Sequence, residues 1–408
     1  MHVVTPESVG FSATRLQRIT AKMQSYVDEG KLAGTITTVA RRGQTVHLAR
    51  VGWMDREAQR PMELDAIFRM ASMTKPVTAA AIMTLYEEGH FTLNTPIHEF
   101  IPGFKDVKVV VRETEDGLET EDLIRPITFR HLFTHTAGLS YGGDPEGDPV
   151  DRCYRKLQEA AGKAPGEGTN KEMVEALTQA PIAFQPGTQW RYSLATDVLG
   201  YLIEVISGQP LDQFFQKRLF EPLGMVDTDF HVPQSKADRL TALYGHPNDA
   251  AQLTLMESPA DSRRLQKPAF LSGGGGLVST VTDYARFLQM LVNGGELDGT
   301  RILSPTTVDL FTINHAPAPA LPYGFAKGED LFHQGYGYSL ATRVLMDVSA
   351  SGKAGSVGEF GWDGAFNTYF WVDRTQELYG LLMTQHSPNN YYPLADTFKQ
   401  LTYQALIS

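Results

Sequence analysis

The chain reads as an α/β protein: an antiparallel sheet flanked by helices and built from both ends of the sequence, with a mainly helical part inserted between them. Three observations predict this. Short runs of β-branched and aromatic residues lie near the two ends, at 35–51 and 336–384. Helical periodicity dominates the middle. At 408 residues the chain can bury a large core, so one or two domains are expected. The expected division is a discontinuous sheet domain, 1–70 plus 335–408, and a mainly helical domain, 71–334.

Each element has a local reason. Ser12 caps a helix with apolar residues at Leu16, Ile19, Met23 and Val27, and Gly30 stops it. Strands follow over 35–40 and 45–51, with Arg42-Gly43 at the turn. The next helix begins near Ser72, because Pro76 is tolerated in a first turn, and ends at Gly89. Pro76 to Leu85 carries no charge, which predicts a helix buried all round. Six acids within 113–122 predict a solvated loop, and the Gly-, Pro- and acid-rich stretch 142–170 a long surface excursion.

Helices are expected again at 172–179, 195–207, 210–219 and 283–292. In the last, Tyr284, Phe287, Leu288 and Leu291 keep the i, i+3, i+4, i+7 spacing, and Gly294-Gly295 ends it. Strands are expected at 336–346, 366–372 and 378–384, with Asp373 to Gln376 as a turn. A final helix runs from Pro393 to Leu406.

Composition excludes several classes. Net charge is −11, from 36 basic and 47 acidic side chains, which argues against nucleic acid and anionic membranes as partners. Cys153 is the single cysteine, so an intrachain disulfide is impossible, and no Cys/His cluster surrounds it to suggest zinc. The start, MHVVTPESVGF, lacks the pattern of a secretory signal, and no apolar run reaches the roughly 18 residues of a membrane span. The expectation is a cytoplasmic protein with no cofactor and no metal.

The chemistry centres on Ser72-Met73-Thr74-Lys75. Residues three apart meet on one helix face, so an amine comes within reach of a hydroxyl. A serine hydroxyl is a poor nucleophile until a neighbouring base takes its proton. Burial keeps a lysine partly neutral and able to do so. A helix N-terminus also favours the negative charge of a tetrahedral intermediate.

Two more segments stand downstream: Tyr192-Ser193-Leu194, just after the turn Gln185-Pro186-Gly187, and Gly361-Trp362-Asp363-Gly364-Ala365. With Ser72-x-x-Lys75 they fall in the order and spacing of the penicillin-recognising serine hydrolases. Further segments fit: 131–139 (HLFTHTAGL), 192–200 (YSLATDVLG), 221–225 (EPLGM) and 272–277 (SGGGGL). Over residues 8–405 the chain resembles the class C β-lactamase fold family, and specifically the family VIII carboxylesterases.

The resemblance implies a β-lactamase/penicillin-binding-protein-like fold and an acyl-enzyme mechanism. Ser72 is then the acylated nucleophile, and Lys75 and Tyr192 share the general base and acid roles. With Lys75 charged, Tyr192 can act as phenolate; with Lys75 neutral, the lysine can itself be the base. The backbone N–H groups of Ser72 and Ala365 would form the oxyanion hole. The substrate would be a small, short-chain ester.

Two departures bear on the substrate. Leu194 stands where class C β-lactamases have asparagine, and Trp362 where they have lysine. Both remove groups that hold a β-lactam, and a hydrogen bond to a charged group is worth about 1.5–3 kcal/mol. Leu194 and Trp362 instead offer an apolar wall. Asp363 replaces a glycine of the esterase pattern and is expected to face solvent; facing the pocket, it would repel anionic substrates. Tyr141 is expected at the pocket entrance. A β-lactamase, a D-amino-acid peptidase, an amide or cyclic-oligomer hydrolase, an acyltransferase and an inert binding module remain alternatives.

Other segments mislead. Gly138-Leu139-Ser140-Tyr141-Gly142 has the Gly-x-Ser-x-Gly pattern but lacks the strand–turn–helix setting it needs. His135 is expected to bond backbone near the site. Gly273 to Gly276 is expected to let a strand run beside the cleft. His315, His333 and His386 show no metal spacing and are expected in surface or loop positions.

Overall fold

Alternating apolar positions at the two ends of the chain pair into one eight-stranded sheet. In spatial order its strands are Tyr336–Tyr338, Arg343–Leu345, Phe360–Asp363, Tyr369–Asp373, Leu378–Thr384, Gly34–Arg41, Gln44–Asp55 and Arg60–Pro61. Every neighbouring pair is antiparallel. The computed structural model describes residues 2–115, 117–162, 167–247, 252–324 and 334–408. The two ends of the sequence meet where Gly34–Arg41 lies against Leu378–Thr384, from Thr35 opposite Thr384 to Arg41 opposite Leu378. Both strands are buried along their whole length, as central strands covered on two faces must be.

One face is covered by α1 (Ala13–Asp28) and the C-terminal helix Leu394–Gln404. Leu16, Ile19 and Met23 of α1 join Trp371 and Phe398 in that core. Ser12 caps α1, its hydroxyl accepting the Arg15 N–H at 3.4 Å. The other face carries the helix Val281–Val292, which packs on Tyr369–Asp373 and Leu378–Thr384. It belongs to a second, larger core that also holds α2 (Thr74–Glu87), Ile36 and Leu381. From Thr74 to Leu85 every residue of α2 is buried, as the absence of charge from Pro76 onward predicts.

Around α2 stand α3 (Phe129–Phe133), α4 (Pro149–Ala160), α5 (Asn170–Leu177) and α6 (Ala195–Ser207). α6 packs against α2, α3 and α5. We propose the division 1–70 plus 335–408 and 71–334 as two parts sharing one core, since the sheet's strands come from the first and the helices around Ser72 from the second. No helix among the described residues is long and apolar enough to cross a membrane.

Several expectations need correcting. The acid-rich segment is not a loop: Val109–Thr114 pairs with Gly117–Glu121 as a hairpin. Its strands are exposed along most of both faces, so no apolar alternation marked them. The 142–170 excursion contains α4, capped by Asp148, whose carboxylate accepts the Val150 and Asp151 N–H groups. The 336–346 strand is two strands joined by a tight turn, and the 366–372 strand starts only at Tyr369. Phe360–Asp363 is itself a strand, carrying the third motif. The Gly273–Gly276 segment is a turn; the strand beside it is Val278–Ser279. His315 and His386 are buried, held by bonds to the Leu310 carbonyl and the Asn367 amide. His333 lies outside the described residues.

Candidate active site

The position of Ser72 is set by the backbone on both sides of it. Phe68–Arg69 pairs with Val278–Ser279, and the chain then turns sharply through Ala71, whose φ is +45°. A left-handed alanine costs of order 1–3 kcal/mol, and such strain gathers where a side chain must be aimed. One 3₁₀ turn, Ala71–Met73, leads into α2, leaving Ser72 half-buried at the helix start. The Tyr284 hydroxyl holds this turn by donating to the Met73 carbonyl at 2.8 Å.

Lys75 lies one turn further on and is wholly buried. Its Nζ is 3.2 Å from Ser72 Oγ and donates to the Gly274 carbonyl at 2.6 Å. Burial lowers its pKa to about 7, against the opposing pull of the Asp197 and Asp363 carboxylates. Tyr192 stands just before α6. Its hydroxyl accepts the Trp362 indole N–H at 3.1 Å and hydrogen-bonds Ser72. Burial pushes this phenol well above its ordinary range, so it is protonated at neutral pH. Lys75 Nζ sits 4.5 Å from the centre of the Tyr192 ring. Serine, amine and phenol thus converge, as the sequence predicts.

The third motif closes the site from the sheet. At Gly364 a Cβ would lie 2.5 Å from the Met70 carbonyl, so only glycine lets this turn approach the turn that carries Ser72. Thr368 Oγ1 donates to the same carbonyl at 3.3 Å. Ala365 follows directly and is exposed. Trp362 is buried, packed edge-on to Tyr338 at 5.2 Å. Leu194 caps α6 and lines a cavity together with Tyr141. The Tyr141 ring lies 5.3 Å from that of Tyr192, and its hydroxyl bonds Tyr192.

Asp363 departs from expectation. Its carboxylate is only one-fifth exposed; it accepts from the Asn389 amide and lies 3.5 Å from the Arg343 guanidinium. Arg343 compensates its charge, so the acid does not face open solvent. His135 bonds a side chain rather than backbone: its Nδ1 is 3.2 Å from Ser193 Oγ. Burial keeps it neutral, and its ring packs on Tyr192 at 4.7 Å. Ser140, the decoy serine, accepts from Arg191 at 2.7 Å.

Two groups escape the sequence reading. Asp197, fully buried on α6, accepts the Ser272 hydroxyl at 2.5 Å and the Gly274 N–H at 3.0 Å. It therefore holds Gly274, the residue whose carbonyl accepts from Lys75. An acid amid the buried run Ala195–Gly200 was the available signal. Arg191 is the other: it donates to Ser140 and Asp151 and pairs with Asp148 at 3.0 Å, tying α4 to the residue before Tyr192.

Comparison with known proteins shows the family. Residues 19–404 match the Beta-lactamase family, to which the chain belongs. Protein Rv1367c of Mycobacterium tuberculosis is 34% identical over 373 residues, 90% of each chain. Esterase EstB of Burkholderia gladioli is 31% identical over 387 residues, 91% of each chain. Among solved structures, EstCE1, described as a hydrolase with promiscuous acyltransferase activity, superposes with a TM-score of 0.78 at 25% identity, covering 97% of this chain and 99% of its own. The protein is a β-lactamase-fold serine hydrolase with esterase homologues.

Proposed function

We propose that this protein is a carboxylesterase that works through a Ser72 acyl-enzyme. The observation that carries the reading is the buried Ser72–Lys75–Tyr192 cluster, faced by Trp362 and Leu194 where a β-lactamase would present a cation and an amide. EstB's description as an esterase supports it.

The pKa directions favour one of the two base assignments. With Lys75 lowered to about 7 and Tyr192 raised, the neutral amine takes the Ser72 proton while the phenol stays protonated. Ser72 Oγ then attacks the ester carbonyl. The oxyanion is held by the N–H groups of Ser72 and Ala365. As the tetrahedral intermediate collapses, the C–O bond breaks, and the proton passes from Lys75, relayed by Tyr192, to the departing alcohol. Water repeats the cycle in reverse: it loses its proton to the same pair, attacks the acyl carbonyl, and Ser72 leaves protonated. An alcohol in place of water would give acyl transfer; the description of EstCE1 motivates this second reading.

The test compares purified protein with Ser72→Ala on p-nitrophenyl esters and a chromogenic cephalosporin. Ester turnover lost in the variant, with little cephalosporin cleavage, is the expected result. Strong cephalosporin turnover would reassign Trp362 and Leu194. Ester turnover that survives Ser72→Ala would remove the mechanism.

A further inference from the structure

A cavity of about 340 Å³ opens beside the catalytic cluster, between α4 and α5. Tyr141 and Leu194 stand at its catalytic end, and Tyr154, Leu157, Met173 and Phe270 continue the wall. It falls within the roughly 300–1,000 Å³ of sites that enclose whole small ligands. A two-carbon acyl group would leave most of that volume to water.

The lining also holds Gln158, Glu167, Glu172 and Glu175. The Glu172 carboxylate is fixed by the Thr169 N–H and hydroxyl at 2.8 and 3.1 Å, and Lys171 lies 3.7 Å from Glu175. A carboxylate at the end of a bound chain would lose its hydration among the apolar side chains of the wall.

Resting on the esterase reading, we infer that this cavity binds one arm of the ester, and that the arm is a long, neutral, apolar chain of about eight carbons rather than an acetyl-sized group. The short-chain preference that the family resemblance implies would then not hold for this protein. Each methylene withdrawn from water favours binding by about fourfold, so a chain that fills the cavity gains steeply over one that does not.

The test uses two substrate series: p-nitrophenyl acetate, butyrate and octanoate vary the acyl arm, and ethyl and octyl acetate vary the alcohol. In one of the two series, kcat/KM should rise at least about tenfold from the shortest to the longest substrate. Met173→Trp and Ala176→Phe each add bulk to the α5 wall of the cavity. Each should cut the long-to-short ratio at least about tenfold while p-nitrophenyl acetate turnover stays within about twofold. That retained turnover reports an intact fold and catalytic cluster. Replacing the octanoate by its ω-carboxylate counterpart should also cost about tenfold or more. Flat chain-length profiles in both series, or a ratio that neither variant moves, would overturn the cavity assignment while leaving the esterase reading in place. Absence of Ser72-dependent turnover and of Ser72-dependent fluorophosphonate labelling would remove the esterase reading itself.

Discussion

The two walls of the cleft are built on different physics. On one side α2 is buried on every face from Thr74 to Leu85, and the turn that aims Ser72 is fixed by Tyr284 and Thr368. On the other, α4 buries only Val150, Asp151 and Tyr154, and α5 only Asn170, Val174 and Leu177. α4 is tied to the site by Arg191, through Asp148, Asp151 and Ser140. The contrast teaches where each job can sit. Proton transfer needs groups held to a fraction of an ångström, which all-round packing provides. A pocket wall needs only a position, and a few charged tethers on an amphipathic helix supply it at lower local stability.

The largest effects should come from breaking the packed wall. Ser72→Ala should lower ester turnover by about 10⁴-fold or more, with the fold retained, as steady-state kinetics and circular dichroism would check. Tyr192→Phe keeps the ring packing but removes the relay, and should cost at least about 10²-fold in kcat. Near-wild-type turnover in that variant would take Tyr192 out of the mechanism.

The pH profile tests the same wall without mutation. Lys75 acts only when neutral, so kcat/KM should rise with pH through about 7 and level off above it. Asp197 raises the Lys75 pKa. Asp197→Asn should therefore move that rising limb to lower pH; a limb that stays in place would mean another group controls it. The stability sign follows the same shift. The buried amine resists protonation in the folded state, so stability rises with pH from about 7 toward the ordinary lysine range, and the contribution is level below about 7.

The smallest effect belongs to the tethered wall. Arg191→Met removes charged hydrogen bonds worth about 1.5–3 kcal/mol, to be read as lost thermal stability. Added salt should narrow the gap between wild type and variant, because partly exposed pairs are screened. A variant as stable as wild type would show that α4 is held by packing after all.

Legibility in the sequence follows the same line. α1 and the helix Val281–Val292 were readable because a buried face imposes a period, and α2 because Pro76 marks its first turn and no charge follows as far as Leu85. Ser72 and Lys75 were readable as neighbours because residues three apart share a helix face, and Tyr192 only through the family resemblance. The hairpin at 109–121 was not, since its register rests on cross-strand pairs such as Arg112 with Glu119 rather than on a buried face. α4 was hidden among glycines, prolines and acids, although Asp148-Pro149 is a helix-start signal. Asp363 was misjudged because its partnership with Arg343 crosses two strands that sequence alone does not align.

The seam between Gly34–Arg41 and Leu378–Thr384 also constrains how the chain is made. A ribosome releases the first of these strands, and the uncharged α2, long before the second exists. Until residues 378–384 have emerged the central strand lacks one neighbour, and the face under α1 still lacks the helix Leu394–Gln404. Contacts so distant in sequence form late and slowly. The nascent protein must therefore carry an apolar helix and an open strand edge for most of its synthesis, the condition under which chaperones hold a chain and haste ends in aggregation.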